Sequence, residues 1–214
     1  AYRIPRIRME SVYKMYVPEL VNRFFDTLSV QKGLSKILID FSTAILQVFF
    51  GLILLSFYHP FFIAFGMVLV LIVYLIIRLT GPQGLSTSLN ESKYKYEVAH
   101  WLEEIGRTMG TFKLAGSSDY PIRKTDGLVS GYLDARKKHF RVLVKQYINM
   151  VSFKVVVAAG LLVMGSLLVI DQQINLGQFV AAEIVILLII NSVEKLILSM
   201  ETIYDVLTAL EKLG

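Results

Sequence analysis

The 214-residue sequence contains no cysteine, which excludes disulfide bonds, zinc–thiolate centres and thiol catalysis. It also lacks the phosphate-loop motif G-x-x-x-x-G-K-[ST] and the dinucleotide motif G-x-G-x-x-G. Histidine occurs only as His59, His100 and His139, which are too scattered for a metal site or a catalytic triad. We therefore predict no catalytic residues, no metal ligands and no cofactor-binding residues in this chain.

Lysine and arginine are absent from two short connectors, residues 58–60 and 171–178, and each connector separates two long apolar stretches. With their amphipathic flanks, these stretches have the roughly 20 residues needed to cross a bilayer. The hydrophobic content of 55% is also too high for an ordinary soluble domain. We predict an all-α membrane protein with four transmembrane helices and long cytoplasmic helical extensions. The apolar stretches cover residues 37–57, 61–77, 155–170 and 179–198.

The distribution of basic residues predicts the orientation in the membrane. Nearly all of the 22 lysines and arginines lie in residues 1–36 and 78–145. Cationic segments stay on the cytoplasmic side during insertion, so we expect a multi-pass protein of the cell (inner) membrane with both termini cytoplasmic. The net charge of +5 suits this topology and anionic lipid headgroups. It does not indicate nucleic-acid binding, because the apolar stretches leave no globular domain to carry such a site.

The pattern of spans and loops divides the chain into five segments. Tyr58-His59-Pro60 predicts a tight outer turn, and Gly177 is expected to supply a left-handed residue in the second outer turn. Gly81-Pro82 predicts a kink or an interruption of the second helix just inside the membrane. The segments are a cytoplasmic helical lead-in at 1–36, broken at Pro5 and Pro18, a transmembrane hairpin at 37–79, a cytoplasmic hairpin at 80–145, a second transmembrane hairpin at 146–200, and the cytoplasmic end of the last helix at 201–214.

Several polar side chains lie within the apolar stretches. Asp40 and Gln47 share one face of the first span, and Glu183, Asn191 and Glu194 share one side of the last. Burial of such groups in lipid is unfavourable, and they usually face a protein interior or a water-filled path. These five residues are therefore candidates for a translocation path, with Gln47, Asn191 and Glu194 the strongest.

The alternative interpretation gives the same polar side chains a structural role. They would form helix–helix hydrogen bonds, and those near the inner boundary would extend to the headgroups. Asp40, Lys154 and Lys195 lie close enough to that boundary for the second role. The sequence leaves both interpretations open.

A short apolar unit, Gly110–Gly116, lies at the far end of the predicted cytoplasmic hairpin. Phe112 and Leu114 are apolar there, far from lipid and between two glycines. An exposed apolar tip on a charged hairpin indicates a partner surface, unless the hairpin uses the tip to cap its own helices.

Three stretches carry a family resemblance. Pro18–Asp26 is similar to the pattern G-[DE]-[LI]-x-x-R-x-x-x-D, Glu97–Lys113 to E-x-x-x-G-x-x-x-[IV]-K, and Asn175–Ala182 to [IL]-[ST]-x-G-x-[LF]-x-A. Together with the two membrane hairpins and the cytoplasmic excursion between them, they resemble spans three to six of the six-span type I ABC exporter transmembrane domain. The resemblance implies a partial domain of that type, either a fragment or one piece of a split transporter.

The same resemblance implies a partner. In this family the G-x-x-x-[IV]-K region forms a coupling helix that docks into an ABC ATPase domain, usually that of the opposite protomer. ATP and Mg²⁺ would bind in that partner domain, ATPase activity would require it, and the chain would form a homodimer or pseudo-dimer. By position, the resemblance implies a coupling helix near 110–116, with Thr111, Phe112, Lys113, Leu114 and Ala115 as the coupling residues.

The resulting prediction is the permease part of an ATP-driven exporter. One alternative is a non-transporting membrane scaffold or sensor whose cytoplasmic hairpin recruits a soluble partner. A weaker one is a small proton- or cation-coupled carrier that uses Asp40, Glu183 and Glu194, although no inverted repeat of broken helices is evident.

Overall fold

The computed structural model describes residues 17–116 and 118–213, and nearly all of these are helical. The four long helices are each long and apolar enough to cross a membrane, which confirms the predicted fold class. Within the described ranges no strand occurs. In chain order the helices are α1 (Val17–Ser56), α2 (Phe61–Arg107), α3 (Met109–Leu114), α4 (Tyr120–Ile170) and α5 (Leu176–Leu213).

The long helices form two main pairs, because α1 lies chiefly along α5 and α2 chiefly along α4. A single apolar core joins the pairs, with Leu55 from α1, Phe62 from α2, Leu161 from α4 and Ile186 from α5 all buried. With 47 residues, α2 is about 70 Å long, more than twice the ~30 Å hydrocarbon core. The helices therefore extend well beyond a membrane.

Of the kink or interruption predicted at Gly81-Pro82, the interruption is wrong, because α2 runs without a break from Phe61 to Arg107 with Pro82 inside it. The kink stays a prediction. Proline removes one backbone hydrogen bond, a loss that neighbouring helices and hydroxyl side chains can offset. The acceptor that loses its donor is the carbonyl of Arg78, four residues before Pro82, and the segment is packed on both sides of the proline, since Thr80 and Gly84 are buried. Tertiary packing around this segment keeps the helix continuous.

The start of the chain also differs from the predicted broken lead-in. Helix α1 begins at Val17 and passes through residue 36 without a break, so lead-in and first span are one helix. Pro18 lies in its first turn, where the missing N–H has no intrahelical partner to lose. Pro5 lies outside the described residues.

The first connector is the tight turn that was predicted, since α1 ends at Ser56 and α2 begins at Phe61. In the second, the prediction for Gly177 is wrong: the residue lies in the first turn of α5, and Gln172 adopts the positive φ of 57° instead. Asn175 and Gln178 fix this helix start as a capping box. The N–H of Gln178 donates to Asn175 Oδ1 at 2.8 Å, and the N–H of Asn175 donates to Gln178 Oε1 at 2.9 Å.

Candidate functional site

Helix α3 is a short tip where the chain passes from α2 to α4. The N–H of Thr108 donates to the carbonyl of Glu104 at 2.9 Å and closes α2. The N–H of Phe112 then donates to the carbonyl of Thr108 at 3.2 Å within the new helix. After it, Gly116 has a φ of +79°, a conformation that glycine adopts without strain. The sequence thus positions a six-residue helix at the end of the hairpin, as expected near 110–116.

Aromatic side chains attach this tip to both long helices of the hairpin. Trp101 of α2 is buried, and its indole N–H donates to Thr125 Oγ1 of α4 at 2.9 Å. The rings of Phe112 and Tyr120 meet the indole edge-on, with centroids 6.4 and 6.1 Å away. The Lys124 ammonium lies 4.0 Å from the Trp101 ring centroid, within cation–π range. The tip is therefore held by the hairpin itself.

The five predicted coupling residues differ in exposure. Phe112 is half-buried because its ring packs against Trp101. Leu114 is 91% exposed, and Thr111, Lys113 and Ala115 are also exposed. Phe112 thus supports the tip, and Leu114 is the apolar side chain that it presents outward.

Two of the candidate path residues bridge helices. Gln47 Oε1 of α1 accepts a hydrogen bond from the hydroxyl of Ser192 on α5 at 2.7 Å, and Ser192 is fully buried. Glu194 of α5 forms an ion pair with Lys154 of α4. Gln47 and Glu194 thus join helices, as the structural interpretation of the polar residues predicted. Lys154, which was considered for contact with the headgroups, pairs with α5.

The other three candidates have no such contact. Asn191 is exposed, and Asp40 and Glu183 are half-buried. Among the described residues none of the three forms a side-chain hydrogen bond or an ion pair. Glu183 and Asn191 are eight residues apart on α5, about 12 Å along its axis. The five candidates are therefore spread along the spans and do not form one compact site.

Sequence reasoning missed a buried polar cluster where the hairpin meets α5. The amide nitrogen of Gln146 donates to Thr80 Oγ1 at 3.1 Å and to the Tyr204 hydroxyl at 2.6 Å. Ser88 and Thr208 share a hydrogen bond of 3.1 Å between their hydroxyl oxygens. The available signal was the four-residue spacing of small residues along α2, which places them on one face. These buried residues are Thr80, Gly84, Ser88 and Ser92.

A cavity of about 510 Å³ lies beside this cluster and is lined by residues of all four long helices. Asp26 of α1, 9% exposed, lines it, and Asp26 Oδ1 accepts a hydrogen bond from the Tyr96 hydroxyl at 2.7 Å. Glu91 and Arg136 form an ion pair of 2.6 Å in its wall. The cavity is thus polar and lies in the part of the bundle where the apolar core has ended.

A family model described as the ABC transporter transmembrane region matches residues 3–193. The chain belongs to this family. A comparison with curated proteins finds no match. The family match confirms the resemblance to the type I ABC exporter transmembrane domain.

The matched region of this ABC transporter transmembrane chain includes α3 and ends within α5. Gln47, Lys154 and Asn191 lie inside it. Tyr204 and Thr208 lie beyond its end, so the α5 side of the polar cluster belongs to a part of the chain that the family model does not match.

Proposed function

We propose that this ABC transporter transmembrane chain is the permease part of an ATP-driven exporter. It would couple nucleotide hydrolysis in an ABC ATPase domain to the movement of a substrate across the cell (inner) membrane. The observation that carries the proposal is the 91% exposure of Leu114 at a tip whose aromatic side chains are packed against one another. An apolar side chain presented this way, at the end of a charged hairpin, suits a partner cleft.

The hairpin is built to transmit displacement of its tip. Trp101 and its partners fix α3 to α2 and α4, and the Glu91–Arg136 ion pair joins the same two helices further along. Both helices continue without a break into the membrane, with 47 residues in α2 and 51 in α4. A movement imposed at α3 would therefore reach the spans. ATP and Mg²⁺ would bind in the partner domain, and two copies or two related halves would complete the permease.

Substrate would pass along the polar positions of α1 and α5. Asn191 is exposed, and Gln47 is bound to Ser192, the residue that follows Asn191 on α5. Glu194 pairs with Lys154 one turn further along α5. Asp40 and Glu183 extend this set toward the two ends of the spans, where hydrated side chains would contact a substrate on entry and exit.

The proposed orientation can be tested by single-cysteine labelling, because the chain has no cysteine of its own. Cysteines placed at His59 or Gln173 should react with a membrane-impermeant thiol reagent in intact cells. A cysteine at Ser130 should react only after permeabilisation, because charge asymmetry retains residues 78–145 inside. The reverse labelling pattern would exclude cytoplasmic termini.

The coupling role predicts that Leu114→Asp abolishes substrate-stimulated ATPase activity and transport in the assembled transporter. A leucine buried in a partner cleft contributes roughly 1.5–3 kcal/mol, so its loss should weaken docking about tenfold to a hundredfold. Insertion should be unaffected, since Leu114 is 91% exposed and lies outside the four apolar stretches. Leu114→Asp tests the coupling contact more directly than Phe112→Asp does. Phe112→Asp would uncouple the transporter but would also remove the ring that packs against Trp101.

The matched control is Leu133→Asp, the same change at an exposed leucine of α4 away from the tip, which should retain coupling. Normal substrate-stimulated ATPase activity in Leu114→Asp would contradict the coupling assignment. It would favour a scaffold that recruits a soluble partner without transport.

A further inference from the structure

Helix α5 meets the α2/α4 hairpin through a buried hydrogen-bonded contact centred on Tyr204. Its side chain is 2% exposed, and its hydroxyl accepts a hydrogen bond from the Gln146 amide at 2.6 Å. The same amide nitrogen donates to Thr80 Oγ1 at 3.1 Å. Gln146 is thus oriented by its own hairpin and binds Tyr204 with its second N–H. The bond to α5 is the one that would break if α5 and the hairpin separated.

A second hydrogen bond joins the α2/α4 hairpin to α5, one turn further along α5. The hydroxyls of Ser88 on α2 and Thr208 on α5 are 3.1 Å apart. His139 of α4 meets the Tyr204 ring edge-on, with centroids 6.3 Å apart, and its Nδ1 lies 2.9 Å from Thr87 Oγ1. Here too the hairpin orients its own side chain and presents it to α5.

This hydrogen-bonded contact differs from the packing of α5 within its apolar stretch, residues 179–198. There α5 is joined to the other helices by buried aliphatic side chains such as Ile186, Ile190 and Val193, and their separation would lose the van der Waals contacts of a close-packed core. Hydroxyl and amide groups can exchange their hydrogen bonds for water at a much smaller net change in free energy. The cavity of about 510 Å³ is lined by Ser88, His139 and Thr208, so it provides space for water at this contact.

We propose that Tyr204 and Thr208, with Gln146 and Ser88 opposite them, form a latch that holds α5 against the hairpin in this conformation and opens in the alternate conformation of the transport cycle. The need for an alternate conformation rests on the proposed function, but the latch itself is a property of this chain. Gln146 and Tyr204 are positioning residues in this scheme, because they set the relative position of two helical bodies and contact no substrate.

The test measures the distance between the hairpin and α5 in the full chain, in its natural assembly, in lipid nanodiscs. Spin labels on cysteines at Asp126 of α4 and Leu207 of α5, both exposed, report this distance by double electron–electron resonance. Tyr204→Phe removes one hydroxyl and keeps the ring against Gly84. We expect it to lower the ratio of the short-distance to the long-distance population about fivefold, the effect of one hydrogen bond.

Tyr147→Phe is the matched control, since Tyr147 neighbours Gln146 in sequence but is 55% exposed, and its distance distribution should equal that of the unmodified chain. If Tyr204→Phe fails to assemble, Thr208→Ala supplies the same measurement through the second bond. An unchanged distribution in the assembled variant would overturn the latch. That result would leave the Leu114 test of coupling intact, because the distance measurement requires no ATPase activity.

Discussion

Replacing Gly84 with alanine should destabilise the protein by about 2 kcal/mol or more, the range of overpacked cores. A Cβ atom at this position would lie 2.3 Å from Cζ and 2.6 Å from the hydroxyl of Tyr204. The ring cannot easily move aside, because it is buried and its hydroxyl is bound by Gln146. The clash should outweigh the gain of up to about 1 kcal/mol that alanine normally brings to a helix. Thermal unfolding in detergent or nanodiscs, followed by tryptophan fluorescence, would measure the change.

The same helix provides the control, Gly106→Ala. No atom lies within 4 Å of a Cβ at Gly106, so this substitution should leave the unfolding temperature unchanged or raise it slightly. Equal unfolding temperatures for the two variants would show that Tyr204 does not pack against α2 as described. Because Gly84→Ala also displaces the latch, it should reduce transport more than Gly106→Ala does.

Glu194→Leu should lower the stability of the assembled protein by about 2 kcal/mol, because it leaves the Lys154 ammonium without its partner. Removal of one partner of a fully buried ion pair costs roughly 3–5 kcal/mol, and here about 30% of each side chain is exposed, which reduces the effect. The double variant Lys154→Leu/Glu194→Leu should recover most of the loss, since two leucines suit an apolar layer. Thermal unfolding of both single variants and the double variant gives the coupling free energy.

Transport assays on the same variants separate the two roles considered for the polar residues of the spans. If Glu194 only joins helices, the double variant should transport with unchanged substrate preference. If the path uses its charge, transport should stay impaired although stability returns. Asn191→Leu is the companion variant, since Asn191 is exposed and its loss should affect transport with little effect on stability. Full stability with unaltered transport in both variants would exclude a path along this side of α5.

The sequence alone predicted the membrane class and the four spans, and the family resemblance added the short helix near 110–116. Hydrophobic length depends on each residue's own side chain and its position along the chain, so it can be counted without knowledge of neighbours. The tight turn at Tyr58-His59-Pro60 followed from one proline for the same reason. The spacing of Asn175 and Gln178 also indicates a capping box. The left-handed residue was predicted at Gly177 because glycine adopts a positive φ without strain, whereas Gln172 is the residue that adopts it.

The tertiary structure decided which polar side chains meet. Gln47 with Ser192, Lys154 with Glu194, and Gln146 with Tyr204 are pairs separated by 145, 40 and 58 residues in sequence. Each pair depends on the rotation and axial offset of two helices, and one residue of offset turns a side chain by about 100°. Hydropathy carries no information on either quantity.

The same physical reason explains the two positions where local rules failed. Gly81-Pro82 predicted an interruption from the proline ring alone, but α4 and α5 pack against this segment, and Gly84 leaves room for the Tyr204 ring. Phe112 was predicted as part of the exposed tip. Its ring instead packs against Trp101, 11 residues earlier in the sequence, and is half-buried. Composition and charge thus determined what kind of protein this is and where its helices lie. Only the packing of the helices determined which side chain faces a partner and which holds the helices together.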